Sequence, residues 1–152
     1  MRNFKKVIFI LLTFVFSSVL AHPAGSTDVL KKNPSSSRQL AAVLLDKVFD
    51  SYLIYTRGNF GEIVSNDFVP SGTDLLNNLG TSTAGNNTLE IEYFLNNVIP
   101  SENKLFLSFK WLKKSVPFST GNITLTEGEA EFVFKREDTG WKLYQIKGDN
   151  PF

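Results

Sequence analysis

The sequence predicts an α+β domain, with helices first and then an antiparallel meander of about four long strands. Three observations carry this. Apolar residues recur at helical spacing between Leu40 and Tyr55. After Asn87 the period switches to two. Turn residues then punctuate the chain at Pro100–Asn103, Pro117–Asn122 and Asp138–Gly140.

The first helix opens on Ser36-Ser37-Arg38-Gln39, which fits a capping box. Leu40, Val43, Leu44, Val48, Tyr52 and Tyr55 mark its apolar face, and Leu45, Phe49 and Leu53 widen it. Gln39, Asp46, Asp50 and Arg57 share a narrow polar stripe. A helix apolar over so much of its circumference is buried on most sides, and Gly58 is a natural stop. Two shorter helical turns are expected next. One holds Phe60, Ile63 and Val64; the other runs from Thr73 as cap, through Leu75, Leu76 and Leu79, to Gly80 as stop. Gly80–Asn87 reads as a loop.

In the first long strand Leu89, Ile91, Tyr93 and Leu95 alternate with Glu90, Glu92 and Phe94. In the next, Leu105, Leu107, Phe109 and Trp111 alternate with Phe106, Ser108 and Lys110. In the third, Ile123 and Leu125 sit on odd positions but Ala130, Phe132 and Phe134 on even ones. The flip across Glu127-Gly128 predicts a β-bulge. Trp141–Lys147 is the closing strand, with Trp141 and Leu143 toward the core. Gly148–Phe152 is an exit turn whose Phe152 folds back to cover an edge.

The start of the chain has the architecture of a secretory signal peptide. Arg2, Lys5 and Lys6 precede the apolar stretch Val7–Leu20, and Val19 and Ala21 are the small residues before a cleavage point. The apolar stretch is short of the roughly 20 residues a membrane span needs. The expected organisation is a signal peptide over 1–21, a flexible polar leader over 22–37 and one domain over 38–152. The chain is then exported, periplasmic or secreted, with no membrane span after cleavage. With no Cys, it has neither disulfides nor thiol chemistry. Residues 1–21 carry three of the 16 Lys and Arg and none of the 15 Asp and Glu, so the remainder holds 13 against 15. A weakly acidic chain with interspersed signs does not fit a nucleic-acid binder.

Helix Leu40–Arg57, the segment "GNFGEIVSNDFVPSG" and the ending "GEAEFVFKREDTGWKLYQIKG" together resemble the nuclear transport factor 2-like superfamily, which includes SnoaL-like cyclases and ketosteroid isomerase. The resemblance covers roughly residues 38–149. It implies a strongly bent antiparallel sheet curled around the long helix, a cone-shaped, cystatin-like α+β roll with an internal cavity. This fold hosts isomerases, dehydratases, cyclases and binding modules alike, so the site must carry the functional argument.

The only His, His22, lies in the leader. No Ser–His or Cys–His pair can form inside the domain, and no His/Cys metal cluster, calcium-spaced Asp loop or Gly-rich phosphate loop is present. No metal or cofactor is expected. The family's Asp–His catalysts have no counterpart here, which argues against a reaction of that type. Asp46 and Asp50 are the candidate acid–base groups, with Tyr52 or Tyr55 beside them in the way ketosteroid isomerase uses Asp and Tyr. The plainer reading puts their stripe in solvent. Glu90, Glu92, Glu129 and Glu131 read as a solvated sheet face, with Lys104, Lys110 and Lys135 as cross-strand partners.

The aromatics are the richer signal. Phe49, Tyr52 and Tyr55 on the helix, with Tyr93, Phe109, Trp111, Phe132, Phe134 and Trp141 on the strands, would wall an apolar ligand pocket in a cone. Ordinary core filling is the competing reading. Phe94, Phe106 and Leu112 fall on the opposite sheet face, where a sheet-to-sheet homodimer would cover them. The expectation is an exported, non-catalytic module that binds a small apolar ligand or a protein. The alternative is an isomerase, dehydratase or cyclase using Asp and Tyr.

Overall fold

The computed structural model describes residues 34–152. The expected signal peptide and residues 22–33 of the leader, His22 included, lie outside the described residues. The long helix, α1 (Pro34–Leu53), starts two residues before the expected capping box, so residues 34–37 are its first turn and not leader. Pro suits that position because its fixed φ is helical and the first turn has no partner for an N–H. Ser37 is already buried. The buried face of α1 is Ala41, Leu44, Leu45, Val48, Phe49 and Tyr52, at steps of three, one, three, one and three that keep one side of a helix. Of the residues expected inside, Leu53 lies at the margin of this face and Val43 on the opposite side of the helix, and both are exposed.

The short helix α2 (Arg57–Gly61) is capped by the Thr56 hydroxyl, which accepts from the Asn59 N–H. The next element is a strand and not a continued helical turn. Strand β1 (Val64–Val69) pairs with the last strand in parallel. Helix α3 (Gly72–Gly85) is capped by Ser71 and not Thr73, and it runs straight through Gly80. The expected loop from Gly80 is therefore mostly helix. Within it the Thr81 and Thr83 hydroxyls donate to the carbonyls of Asn77 and Leu79, one turn back, and so do not compete for the helix's own N–H groups.

The meander is as expected: β2 (Asn86–Pro100), β3 (Lys104–Pro117), β4 (Thr124–Glu137) and β5 (Gly140–Gly148), each antiparallel to the next. With β1 added at the edge, the order is β1-β5-β4-β3-β2, a mixed five-stranded sheet. The bulge expected at Glu127-Gly128 is absent. The β3–β4 register is unbroken from Lys104↔Lys135 to Ser115↔Thr124, with Gly128 opposite Trp111. Ile123 and Leu125 are simply exposed. The irregularities fall elsewhere. One unpaired residue in each case, Leu89 and Asn96 in β2 and Tyr144 in β5, breaks the register. Bulges bend a long strand and increase its twist, which lets the sheet curve around α1. The inner face carries Leu105, Leu107, Phe109, Trp111, Ala130, Phe132, Phe134 and Leu143, all buried against the helix.

Candidate functional site

The interior between α1 and the sheet is a continuous aromatic cluster. Phe109 and Phe132 meet edge-on at 4.8 Å between centroids. Phe49 packs on Tyr93, Phe109 and Phe132 at 5.6, 5.9 and 6.2 Å. Phe134 continues the cluster beyond Phe132 at 6.5 Å. Of the residues expected to line a pocket, Phe49, Tyr52, Phe109, Trp111, Phe132 and Phe134 are buried, while Tyr55, Tyr93 and Trp141 are half-buried against the same core. Tilted and edge-to-face pairs of this kind add to the area that each ring buries.

Phe152 is the unexpected member. It does not cover a sheet edge. Its ring sits inside the cluster, 4.9 Å from Tyr52, 5.4 Å from Phe60, 5.9 Å from Phe132 and 6.2 Å from Phe49. Gly148 turns the chain inward at φ +77°, a region natural for Gly. The Asp149 N–H donates to the Glu129 carbonyl, and the Trp111 indole N–H donates to the Asp149 carbonyl at 2.9 Å. Pro151 is buried.

Tyr52 joins this cluster to an open pocket. The pocket, about 320 Å3, lies between the end of α1, α3 and the start of β2, and is lined in part by Tyr52, Tyr55, Thr88 and Phe118. No charged side chain lines it. Thr88 Oγ1 donates to the Tyr52 hydroxyl at 3.3 Å, and that hydroxyl lies 3.4 Å from Ser82 Oγ. With Thr88 donating, the Tyr52 hydroxyl can either donate to Ser82 or accept from it. Tyr52 and Thr88 line the pocket and their hydroxyls can turn to serve a ligand oxygen, with Ser82 behind Tyr52, since each hydroxyl is both donor and acceptor. The Tyr55 hydroxyl is committed to the Leu76 carbonyl at 2.9 Å.

Asp46 and Asp50 are exposed and face away from this pocket's lining. Asp46 accepts the Tyr93 hydroxyl at 2.6 Å, and the same hydroxyl reaches the Ala42 carbonyl at 3.3 Å. Burial, then the bond to Asp46, holds the Tyr93 phenol well above its ordinary value. The carboxylates on the outer sheet face form surface pairs: Lys110–Glu129 at 3.0 Å, as register predicted, and Lys147–Glu131 at 3.1 Å. Lys135 goes instead to Asp67 at 2.5 Å, and Lys104 lies over the Tyr144 ring at 4.3 Å. Among the described residues no cluster of three His, Cys, Asp or Glu could hold a metal, and no helix is long and apolar enough to cross a membrane.

Sequence reasoning missed Ser82, Thr88, Phe118, Phe60 and Phe152 as site residues. Ser82 was hidden by the loop reading of Gly80–Asn87. Thr88 was hidden by strict alternation: it is the bulge at Leu89 that turns Thr88 inward, opposite Ser115. Phe118 lies just after β3 and reached the pocket through no local pattern.

No protein-family model and no curated protein matches the sequence. Solved structures do. A conserved protein from Planctomyces limnophilus is similar with a TM-score of 0.65 at 14% identity, over 75% of this chain and 98% of that one. A nuclear transport factor 2-like superfamily protein from Salmonella enterica has a TM-score of 0.62 at 16% identity, over 79% and 94%. A ketosteroid isomerase-like protein from Erwinia carotovora has a TM-score of 0.58 at 11% identity, over 72% and 94%. At such identities the likeness speaks for architecture alone. The chain has the nuclear transport factor 2-like fold.

Proposed function

We propose that this is a binding module for a small, mostly apolar ligand that carries a hydroxyl or carbonyl oxygen. The carrying observation is the uncharged pocket at Tyr52, where a hydroxyl trio meets the aromatic interior. A volume of about 320 Å3 is at the lower end of the roughly 300–1,000 Å3 of small-molecule sites. Leu53, Ile54, Phe118 and the Tyr52 and Tyr55 rings would supply apolar contact, and the hydroxyls, with Asn86 and Asn87, orientation. A non-catalytic role fits the placement of Asp46 and Asp50 on the outside. The isomerase-like alternative needs one of them in contact with ligand. Native mass spectrometry with straight-chain alcohols and alkylphenols tests the reading, with Tyr52→Phe and Thr88→Ala as the weakened variants. Equal binding by all three proteins sinks the assignment of the oxygen to this trio. Empty protein throughout sinks the ligand reading itself.

A second reading concerns the outer face of the sheet. Phe94, Ile99, Leu112 and Leu125 are exposed there, Phe94 at 70%, beside the Lys110–Glu129 pair. A second copy laid sheet to sheet would cover them, and the interspersed charges allow opposite signs to meet. Export, to periplasm or medium, remains part of the proposal through residues 1–21. Sedimentation of the wild type and of Phe94→Glu tests the dimer: a monomeric wild type at high concentration would rule it out.

A further inference from the structure

We propose that the place taken by the Phe152 ring is an arene-binding subsite, which Phe152 fills in cis and yields to the aromatic ring of a ligand. The inference rests on the reading of the cone as a ligand site and adds what that site selects and what guards it.

Four rings surround Phe152 in the arrangement that favours another ring. Phe60 and Phe49 present themselves at 85° and 63°, and Tyr52 and Phe132 at 45° and 43°. Edge-to-face and tilted contacts of this kind reward an aromatic guest over an aliphatic one of equal volume. Tyr52 lines the open pocket while its ring packs on Phe152 at 4.9 Å, so the place that Phe152 would vacate lies directly behind the Tyr52 wall of that pocket.

The attachment of Phe152 is of the kind that can open. The sheet ladder stops at Ala130↔Gly148. Asp149 is fastened three times, through its N–H, its carbonyl and Oδ2. Beyond it the Phe152 N–H bonds only to Asn150 Oδ1 of its own segment. The ring is half-buried, not fully enclosed. Asp149 thus acts as the hinge post and Phe152 as the part that moves. Beyond Asp149 the segment is held by the burial of Pro151, by ring packing and by one hydrogen bond within itself, and a segment with so few ties opens locally without unfolding the domain. An outside ring competes with a tethered one, and its apparent affinity falls by the fraction of time the subsite is vacant.

The probe is p-cresol, with 1-hexanol as the aliphatic control. In the wild type, saturating p-cresol should abolish the nuclear Overhauser contacts between the Phe152 and Tyr52 rings, and 1-hexanol should bind more weakly. Phe152→Ala should bind p-cresol about tenfold to a hundredfold tighter, the equivalent of no longer expelling a buried phenyl ring. Binding to wild type with those contacts intact overturns the exchange while leaving the cone as a ligand site. Binding to Phe152→Ala alone overturns it too, because the site is then only the hole left by truncation. No binding of either probe to either protein removes the cone reading and the subsite together. The wild-type measurement stands even where Phe152→Ala folds poorly, and Phe152→Leu then replaces it as the ring-less variant.

Discussion

Gly128 is a sharp place to test the packing. It lies mid-strand in β4, opposite Trp111, where a larger residue would ordinarily be better. Gly in a strand interior costs about 0.5–1 kcal/mol relative to Ala, so propensity alone predicts that Gly128→Ala stabilises. The structure predicts the reverse. A Cβ at Gly128 would stand 2.7 Å from Asp149 Cβ and 2.7 and 2.9 Å from two atoms of the Trp111 ring, against roughly 3.5–4.0 Å for carbon atoms at ease. Trp111 is buried and cannot retreat. Asp149 can, but only by giving up its bonds with Glu129 and Trp111. Overpacking of this size costs about 1–3 kcal/mol. Setting the mid-range propensity gain against the mid-range overpacking cost leaves a net loss of about 1 kcal/mol. Urea unfolding followed at both Trp residues reads this as a lower midpoint at unchanged slope. Gly58→Ala is the control: nothing lies within 4 Å of its Cβ, and it should be neutral or gain about 0.4–1 kcal/mol. If Gly128→Ala is as stable as the wild type, the close approach of Trp111 and Asp149 is not what keeps Gly there.

Phe132→Ala should cost about 3–5 kcal/mol in the same assay, since its ring is fully buried and touches Phe49, Phe109, Phe134 and Phe152. The Lys135 ammonium bonded to Asp67 holds its carboxyl below the usual range. That pair's stabilisation is therefore present above the ordinary Asp value of 3.8 and is lost as pH falls through the lowered one. Asp67→Asn should flatten the acid limb of the stability profile, with a small effect at neutral pH because the pair is exposed. Tyr93 behaves oppositely. Its phenol is raised, so its contribution is whole below the ordinary value of 10.0 and is lost as pH rises toward the raised one. Tyr93→Phe should remove that alkaline loss and cost about 1 kcal/mol at neutral pH through the missing bonds to Asp46 and Ala42.

The sequence made the meander and the long helix readable because both are written in local periodicity. Leu105, Leu107, Phe109 and Trp111 alternate, and they are buried together. The misreadings share one cause, pairing or packing at a distance. β1 exists because Leu143 donates its N–H to the Ile63 carbonyl at 2.7 Å, a partner far along the chain that no local pattern announces. Helix α3 passes Gly80 because Leu75 and Leu79 are held in the core, which outweighs the poor helix propensity of Gly. For the site, the aromatic residues were legible as a set, because strand parity and helix phase place them. Their partners were not: Ser82 lies where Gly80 reads as a helix stop, and for Thr88 a bulge at Leu89 reverses which side of β2 faces inward.

The parity flip at Glu127-Gly128 was a real signal attached to the wrong cause. The inner face of β4 reads Gly128, Ala130, Phe132, Phe134, from no side chain to the largest. A strand that tapers so sharply would leave a void at its narrow end, and interiors are packed too densely to keep one. Two things come in to fill that end. The Trp111 ring lies over Gly128 from the neighbouring strand, as an aromatic residue covers a glycine. The chain itself turns back at Gly148, where a Cβ would meet the Glu129 carbonyl at 2.6 Å. Gly128, Ala130 and Gly148 thus admit the segment that carries Pro151 and Phe152 inward. Three small residues on two strands and one Phe beyond them make a single device. None of the four is explained by the strand it sits in.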